Sequence, residues 1–459
     1  MLTVKKKGLL AGVMALAAGM LLNMGDVQAA DNSDGVRIKF GQTTAVERKA
    51  PQPQVQGEGQ KAVTVKNVQL IWKEIPSAVR YQVVILKSAE DTAANIALTY
   101  NQVYTNGVTV DLSRFGAEAA GFYWKVCPLD YNGNPVGNRH FSKPKPITDG
   151  GTLNVDAPKP TTQFERMDYM PLYPVFSWIP YGRAKHHEVR VFRVTDEGDK
   201  LIRTLQGGEY DVYEDGGYTL PGKYYWQVRS LNSDGTPLSG WSEKSYFSVE
   251  GTKAPIAALG DSITHGGGAM SVSPGYLLYD WESYSSVPVK NLGFSGNTTE
   301  AMLERFERDV LPASPRVLVV MGGVNDYRLG VFGAQTVANL QAIKEKCDAY
   351  GIIVVFLTPT PINPTMMVSR AHIEQPPYDW QVHQQYVNDW IRRQQYHVDV
   401  AEALTDSMGN LRSNYTTDGL HPDYYGKKYI GEQVGRYLQI HFAWITNTLT
   451  KKPIPAYNY

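Results

Sequence analysis

Three kinds of hydrophobic patterning follow one another along this chain, and each predicts a different architecture. Residues 30–62 are polar, rich in Gln, Gly and Pro, and have no hydrophobic period, which predicts a flexible linker. From residue 63 to about 250, short alternating runs are separated by Gly, Pro and Asn turns, the pattern of antiparallel strands with one buried face. From about residue 254 the apolar runs become nearly continuous. Residues 255–259, 287–291, 317–321 and 352–357 read as buried strands. Amphipathic stretches at helical spacing follow them. Residues 299–311 put Met302, Leu303, Phe306 and Val310 on one side, and residues 334–350 do the same with Val337, Leu340 and Ile343. Residues 382–395 and 426–445 complete the set. Apolar strands alternating with helices predict a parallel sheet covered on both faces, an α/β domain over residues 254–449.

The antiparallel region repeats itself. Trp72-Lys73-Glu74-Ile75-Pro76 before Tyr81-Gln82-Val83 matches Trp178-Ile179-Pro180 before His187-Glu188-Val189, at an offset of 106 between the two Trp. Tyr123-Trp124-Lys125-Val126 returns as Tyr225-Trp226-Gln227-Val228, at an offset of 102. Asn132-Gly133 and Asp234-Gly235 supply the positive φ that tight turns need. An early-strand Trp and a late Tyr-Trp-x-Val strand resemble fibronectin type III domains. That resemblance implies two β-sandwiches, at residues 63–150 and 160–250. Their many Tyr and Trp are expected to fill sandwich cores; sugar binding by exposed rings is the functional alternative.

The head of the chain has a separate signature. Lys5, Lys6 and Lys7 precede an apolar run over residues 8–22, and Val27-Gln28-Ala29 offers small residues for cleavage. This predicts an export signal over residues 1–29, with an uncleaved anchor as the alternative. The whole chain balances 45 basic against 45 acidic side chains; without residues 1–29 the balance is 42 against 44. No polyanion partner is expected, so nucleic acid is excluded, and no membrane insertion is expected after cleavage. The two cysteines, Cys127 and Cys347, rule out a disulfide scaffold and read as buried thiols.

Four short blocks fall where strands end, the place where open α/β sheets bind ligands. Gly260-Asp261-Ser262-Ile263 follows the first apolar strand and raises a serine above the sheet. Asn291-Leu292-Gly293-Phe294-Ser295-Gly296-Asn297 follows the second, with two glycines that let backbone approach a ligand. Gly322-Gly323-Val324-Asn325-Asp326 follows the third, and its Asn can donate to an oxyanion. Asp418-Gly419-Leu420-His421-Pro422 lies late in the chain, with a His able to act as general base and an Asp able to fix its tautomer. Each block alone has a structural reading as a turn or helix cap.

Together, Ser262, Gly296, Asn325 and His421 occur in the order and context of the SGNH hydrolases, also called GDSL esterases. The resemblance covers residues 254–445. The first block departs from the family pattern at Ile263, where Leu is usual, a position expected to pack. The resemblance implies Ser262 as nucleophile, His421 as base and Asp418 as orienting acid. It implies an oxyanion hole made by the amides of Ser262 and Gly296 with the Asn325 side chain. The scheme needs no cofactor and no metal.

Other features carry less. His186-His187 lies on a predicted strand, where neighbours face opposite ways, so it is a poor metal pair. His265 reads either as lining the site or as a surface residue. The segment 366–379 reads as an irregular connection in the right place for a lid or substrate wall. Gly266-Gly267-Gly268 lacks the following Gly-Lys-Ser/Thr of a phosphate loop. The charges from Arg305 to Arg308 read as a solvated helix face. An export signal, two sandwiches and an SGNH-like domain suggest a secreted or cell-surface carbohydrate (acetyl) esterase whose partner is an acylated polysaccharide. The alternatives are a lysophospholipase, short-chain lipase or thioesterase, and, in another class, an inactive surface adhesion module.

Overall fold

The computed structural model describes residues 64–137, 140–249, 253–268 and 270–453. The expected export signal and linker lie outside the described residues. From Thr64 onward the chain forms one compact unit.

Residues 64–249 form two successive arrangements of antiparallel strands. In the first, Gly107–Asp111, Asn67–Ile71 and Gly151–Leu153 make a three-stranded sheet. It faces a four-stranded sheet in the order Ile96–Val103, Arg80–Leu86, Tyr123–Leu129, Lys145–Pro146. The second pairs Asp211–Tyr213, Val175–Ile179 and Lys159–Pro160 against Lys200–Gly207, His186–Arg193, Gly222–Leu231 and Ser245–Val249. Tyr81 and His187, and Trp124 and Trp226, thus occupy corresponding central strands, whereas Trp178 lies within its strand and Trp72 just past the end of Asn67–Ile71. Alternation drives each arrangement to bury one face of each sheet: Val68, Leu70, Val83, Ile85 and Trp124 share the first core. Phe176, Trp178, Val189, Val191 and Trp226 share the second. The tryptophans at 124, 178 and 226 are therefore core residues. Gly133 and Gly235 both take positive φ in their turns.

The C-terminal region holds a five-stranded parallel sheet. Its strands are β1 (Ile256–Gly260), β2 (Lys290–Gly293), β3 (Val317–Met321), β4 (Ile353–Leu357) and β5 (His397–Val398), in spatial order β2-β1-β3-β4-β5. Alternate residues of the apolar strands feed opposite faces, as the period of two requires. Ile256, Ala258, Val317, Val319 and Met321 join one core with Ile430, Val434 and Leu438. Ala257, Leu259, Leu318 and Val320 join the other with Met302, Phe306, Leu340 and Ile343. Helices therefore cover both faces. They are α1 (Ser262–His265), α2 (Trp281–Tyr284), α3 (Thr299–Glu304), α4 (Phe306–Ala313), α5 (Val324–Arg328), α6 (Gly333–Ala349), α7 (Pro364–Ala371), α8 (Trp380–Arg392), α9 (Ala401–Leu404), α10 (Tyr424–His441) and α11 (Ala443–Thr446).

Several sequence expectations shift. The strand expected over 287–291 begins only at Lys290, because Pro288 cannot donate to a ladder. The single helix expected over 299–311 is two, α3 and α4, parted at Arg305. The helix expected over 426–445 breaks at Phe442. The segment 366–379 is not wholly irregular. Its first half lies in α7, which starts with Pro364 in the first turn and Asn363 capping the Met366 N–H at 3.2 Å. Strand β5, two residues long, was below the reach of any periodicity.

Candidate active site

Ser262 opens α1 directly beyond β1. The turn is made by Asp261, whose side chain accepts the Ile263 N–H at 2.9 Å. Ile263 packs into the core, 1 % exposed, so this departure from the family pattern sits in a packing position. Asp261 is fully buried, and burial pushes its carboxyl up to about 6, the Ile263 N–H and the His421 charge opposing that rise.

His421 reaches Ser262 from the loop before α10. Its Nε2 lies 2.9 Å from Ser262 Oγ, and its Nδ1 lies 2.7 Å from Asp418 Oδ2. The other carboxylate oxygen of Asp418 accepts the backbone N–H groups of Leu420 and His421, each at 2.8 Å, and the Thr416 hydroxyl at 3.2 Å. The three-residue spacing makes this possible: the turn from 418 to 421 folds its own N–H groups onto the acid that holds the ring. Gly419 takes φ +83° there, and a Cβ would collide with the Asn363 carbonyl at 2.5 Å. Burial alone would raise the Asp418 pKa, but His421 and these donors outweigh it and hold the carboxyl below its usual range. Asp418 thus stays ionised and accepts from Nδ1–H, which leaves Nε2 as the acceptor for the serine hydroxyl.

The loop after β2 carries Gly296, which is exposed at its tip with φ +84°. Asn325, in α5 beyond β3, is buried and donates Nδ2–H to the Asn297 carbonyl at 2.9 Å. Its Oδ1 accepts from Arg328 Nη2 at 3.2 Å, which fixes the amide orientation. Asp326, the next residue, ties α3 to α5 by accepting the Thr299 N–H at 2.9 Å and the Thr299 hydroxyl. Ser262, His421 and Asp418 thus share one hydrogen-bonded chain. Asn325 is joined to the loop that carries Gly296.

Two sequence expectations are corrected here. His265 neither lines the site nor lies at the surface. It is 3 % exposed, with Nδ1 on Ser295 and Nε2 on the Tyr173 carbonyl at 2.6 Å. Burial lowers its pKa to about 4, so the ring is neutral. Arg305 is not on a solvated face. It is 5 % exposed and donates to the carbonyls of Leu292 at 2.7 Å and Gly260 at 2.8 Å, the last residues but one and last of β2 and β1. It also holds Asn297 Oδ1 at 2.5 Å and pairs with Asp309 at 3.0 Å. The Arg-to-Asp spacing of four was the available signal. The break at Arg305 turned that pair inward, leaving Arg308 exposed. His186 and His187 do face opposite ways, exposed and buried. Among the described residues, no group of three His, Cys, Asp or Glu could hold a metal ion. Neither cysteine forms a disulfide, and both are buried.

The hydrogen-bonded chain of Ser262, His421 and Asp418 lies at the strand ends of a parallel sheet, where open α/β folds bind ligands. Residues 258–429 match the GDSL-like Lipase/Acylhydrolase family, so the chain carries a domain of that family and is an enzyme of the acylhydrolase class. Among solved structures, the lipase/acylhydrolase from Enterococcus faecalis is 23% identical over 43% of this chain and 98% of its own, with a TM-score of 0.33. A GDSL-like lipase from Bacteroides thetaiotaomicron is 20% identical, covering 40% and 87%, with a TM-score of 0.32. An acetyl xylan esterase from Geobacillus stearothermophilus is 19% identical, covering 40% and 93%, with a TM-score of 0.31. No curated protein matches the chain.

Proposed function

We propose that this chain is an exported serine esterase that hydrolyses carboxylic esters through Ser262, His421 and Asp418. The observation that carries the reading is the continuous path from Asp418 Oδ2 through His421 to Ser262 Oγ, with contacts of 2.7 and 2.9 Å. His421 Nε2 takes the Ser262 proton as Oγ attacks the ester carbonyl. The resulting oxyanion is held by the N–H groups of Ser262 and Gly296 and by Asn325 Nδ2–H. His421 then returns the proton to the leaving alcohol. A water molecule, deprotonated by His421, hydrolyses the acyl-enzyme and restores Ser262.

The substrate we favour is an acetylated polysaccharide. Two antiparallel modules, read as fibronectin type III-like domains at 63–150 and 160–250, precede the catalytic domain at 254–449. The lysine head and apolar run of residues 1–29 support export. This is the arrangement of an enzyme that works on an extended polymer outside the cell. Among the described residues no helix is long and apolar enough to cross a membrane. One observation favours a second reading, a lysophospholipase or short-chain lipase. Leu329 (58 % exposed) and Phe332 (68 %) present apolar surface just beyond the helix that carries Asn325, and Val382 (65 %) does so from α8.

Ser262→Ala tests the mechanism. Turnover of p-nitrophenyl acetate should fall by several orders of magnitude; wild-type turnover would remove the assignment. Acetate release from acetylated polysaccharide, compared with fatty-acid release from a lysophospholipid, decides the substrate. Acetate alone supports the polysaccharide reading, and fatty acid alone overturns it in favour of the lipid one.

A further inference from the structure

Gly296 has no side chain to anchor it in its loop. The space where its Cβ would lie is empty to 4 Å, and the residue is exposed. Its position is therefore set by its two neighbours, Ser295 and Asn297. Both neighbours are held by hydrogen-bonded paths that end on one residue outside the catalytic domain, Tyr173, on the chain leading into the strand Val175–Ile179.

The first path uses the Tyr173 backbone. Its carbonyl accepts from His265 Nε2–H at 2.6 Å. That leaves His265 Nδ1 as an acceptor, and it receives the Ser295 hydroxyl at 2.8 Å and the Ser295 N–H at 3.2 Å. The second path uses the Tyr173 side chain. Its hydroxyl donates to Asp309 Oδ2 at 2.8 Å, and Asp309 pairs with Arg305 at 3.0 Å. Arg305 Nε then donates to Asn297 Oδ1 at 2.5 Å, and the Asn297 carbonyl accepts from Asn325 Nδ2 at 2.9 Å. Between the two paths the Tyr173 ring meets Phe294 edge-on, centroids 4.8 Å apart. Tyr173 is 2 % exposed, and its own bonds to His265 and Asp309 are buried, while the bonds at Ser295 and Asn297 are half-buried.

We propose that Tyr173 is a positioning residue for the oxyanion loop, which makes the second antiparallel module a structural part of the active site and not only a spacer. The inference rests on the oxyanion role given to Gly296 above. Its physical basis is that an oxyanion hole stabilises charge only if its donors are fixed before the charge develops. A loop tip free of side-chain packing gains that fixity from its flanks. Rearrangement of the module against the catalytic domain would then act directly on turnover.

The test uses the full chain. Tyr173→Phe keeps the ring and the backbone carbonyl and removes the hydroxyl, with its bond to Asp309 and the bond it accepts from Arg308 at 2.7 Å. His265→Asn keeps a polar group near Ser295 and is too short to reach the Tyr173 carbonyl. A displacement of about 1 Å at a catalytic group can cost about 10²-fold. Each variant is therefore expected to lower kcat about tenfold, with KM within about twofold of wild type. A boronic acid that mimics the tetrahedral intermediate should lose affinity by the same factor as kcat. A merely structural role would lower Tm and leave kcat and boronate affinity at 25 °C unchanged. That result in Tyr173→Phe, with Ser262→Ala inactive, would overturn the positioning role alone. An active Ser262→Ala would instead remove the active-site reading and the positioning role with it.

Discussion

Lys427 donates to the Ile263 carbonyl at 2.5 Å from directly beneath the helix that carries Ser262. The ammonium is fully buried. It sits in the field of Asp280, Glu282, Asp261 and Asp423, and burial lowers its pKa against their pull. No sequence pattern marks it, because Lys427 lies between Gly426 and Lys428 on what could equally be a polar helix face. Its position on α10 is set by close packing: Gly431 and Gly435 admit the backbone of residues 281–286, where a Cβ would come within 2.1 and 2.4 Å.

Removing the charge of Lys427 should therefore be costly. Lys427→Met keeps the volume and leaves several buried carboxyl groups without their cation. Breaking a buried ionic group in this way costs about 3–5 kcal/mol. Urea denaturation of the variant should show that loss, and a midpoint equal to wild type would sink the assignment of a structural cation.

Stability should peak on the acid side of neutrality. Burial raises Glu74 to about 8 and Asp280 to about 7, and Asp261 to about 6. Their unfolded values lie near 4.5 and 3.8, so between these limits the folded state binds more protons. Stability from these groups is present below the unfolded pKa and is lost as pH rises through the folded one. Asp418 works the other way: its pKa is lowered, so its contribution is present above the unfolded value and lost as pH falls through the folded one. Tm is expected to be higher at pH 5 than at pH 8 by more than about 5 °C. Glu74→Gln should flatten that slope, and a Tm that rises steadily from pH 5 to pH 8 contradicts it.

Asn325→Asp separates two roles of one residue. The carboxylate keeps an acceptor for Arg328 and loses both Nδ2–H groups, the one that donates to the Asn297 carbonyl and the one assigned above to the oxyanion. Removing one oxyanion donor costs about 10²–10³-fold in kcat. Steady-state kinetics on p-nitrophenyl acetate should show that loss with little change in KM. Turnover within threefold of wild type would take Asn325 out of the chemistry.

Much of the catalytic sheet was legible because its strands are buried on both faces, and such strands announce themselves as unbroken apolar runs. The four blocks were legible because turns at strand ends need Gly, Asp and Asn at fixed offsets. The helix boundaries around Arg305 and Phe442 were not, since the apolar period continues across both breaks. The inward turn of Arg305 depends on carbonyls from two strand ends, which no local window contains.

The sequence by itself determined the local choices: the parallel-strand pattern, the antiparallel repeat, and the Asp418-to-His421 spacing that lets one turn hold its own imidazole. Tertiary structure alone decided which polar groups go inside. Tyr173 meets His265 across 92 residues and Asp309 across 136. Lys427 meets Ile263 across 164. A buried polar group is tolerated only where partners converge on it, and convergence over such separations is a property of the packed fold.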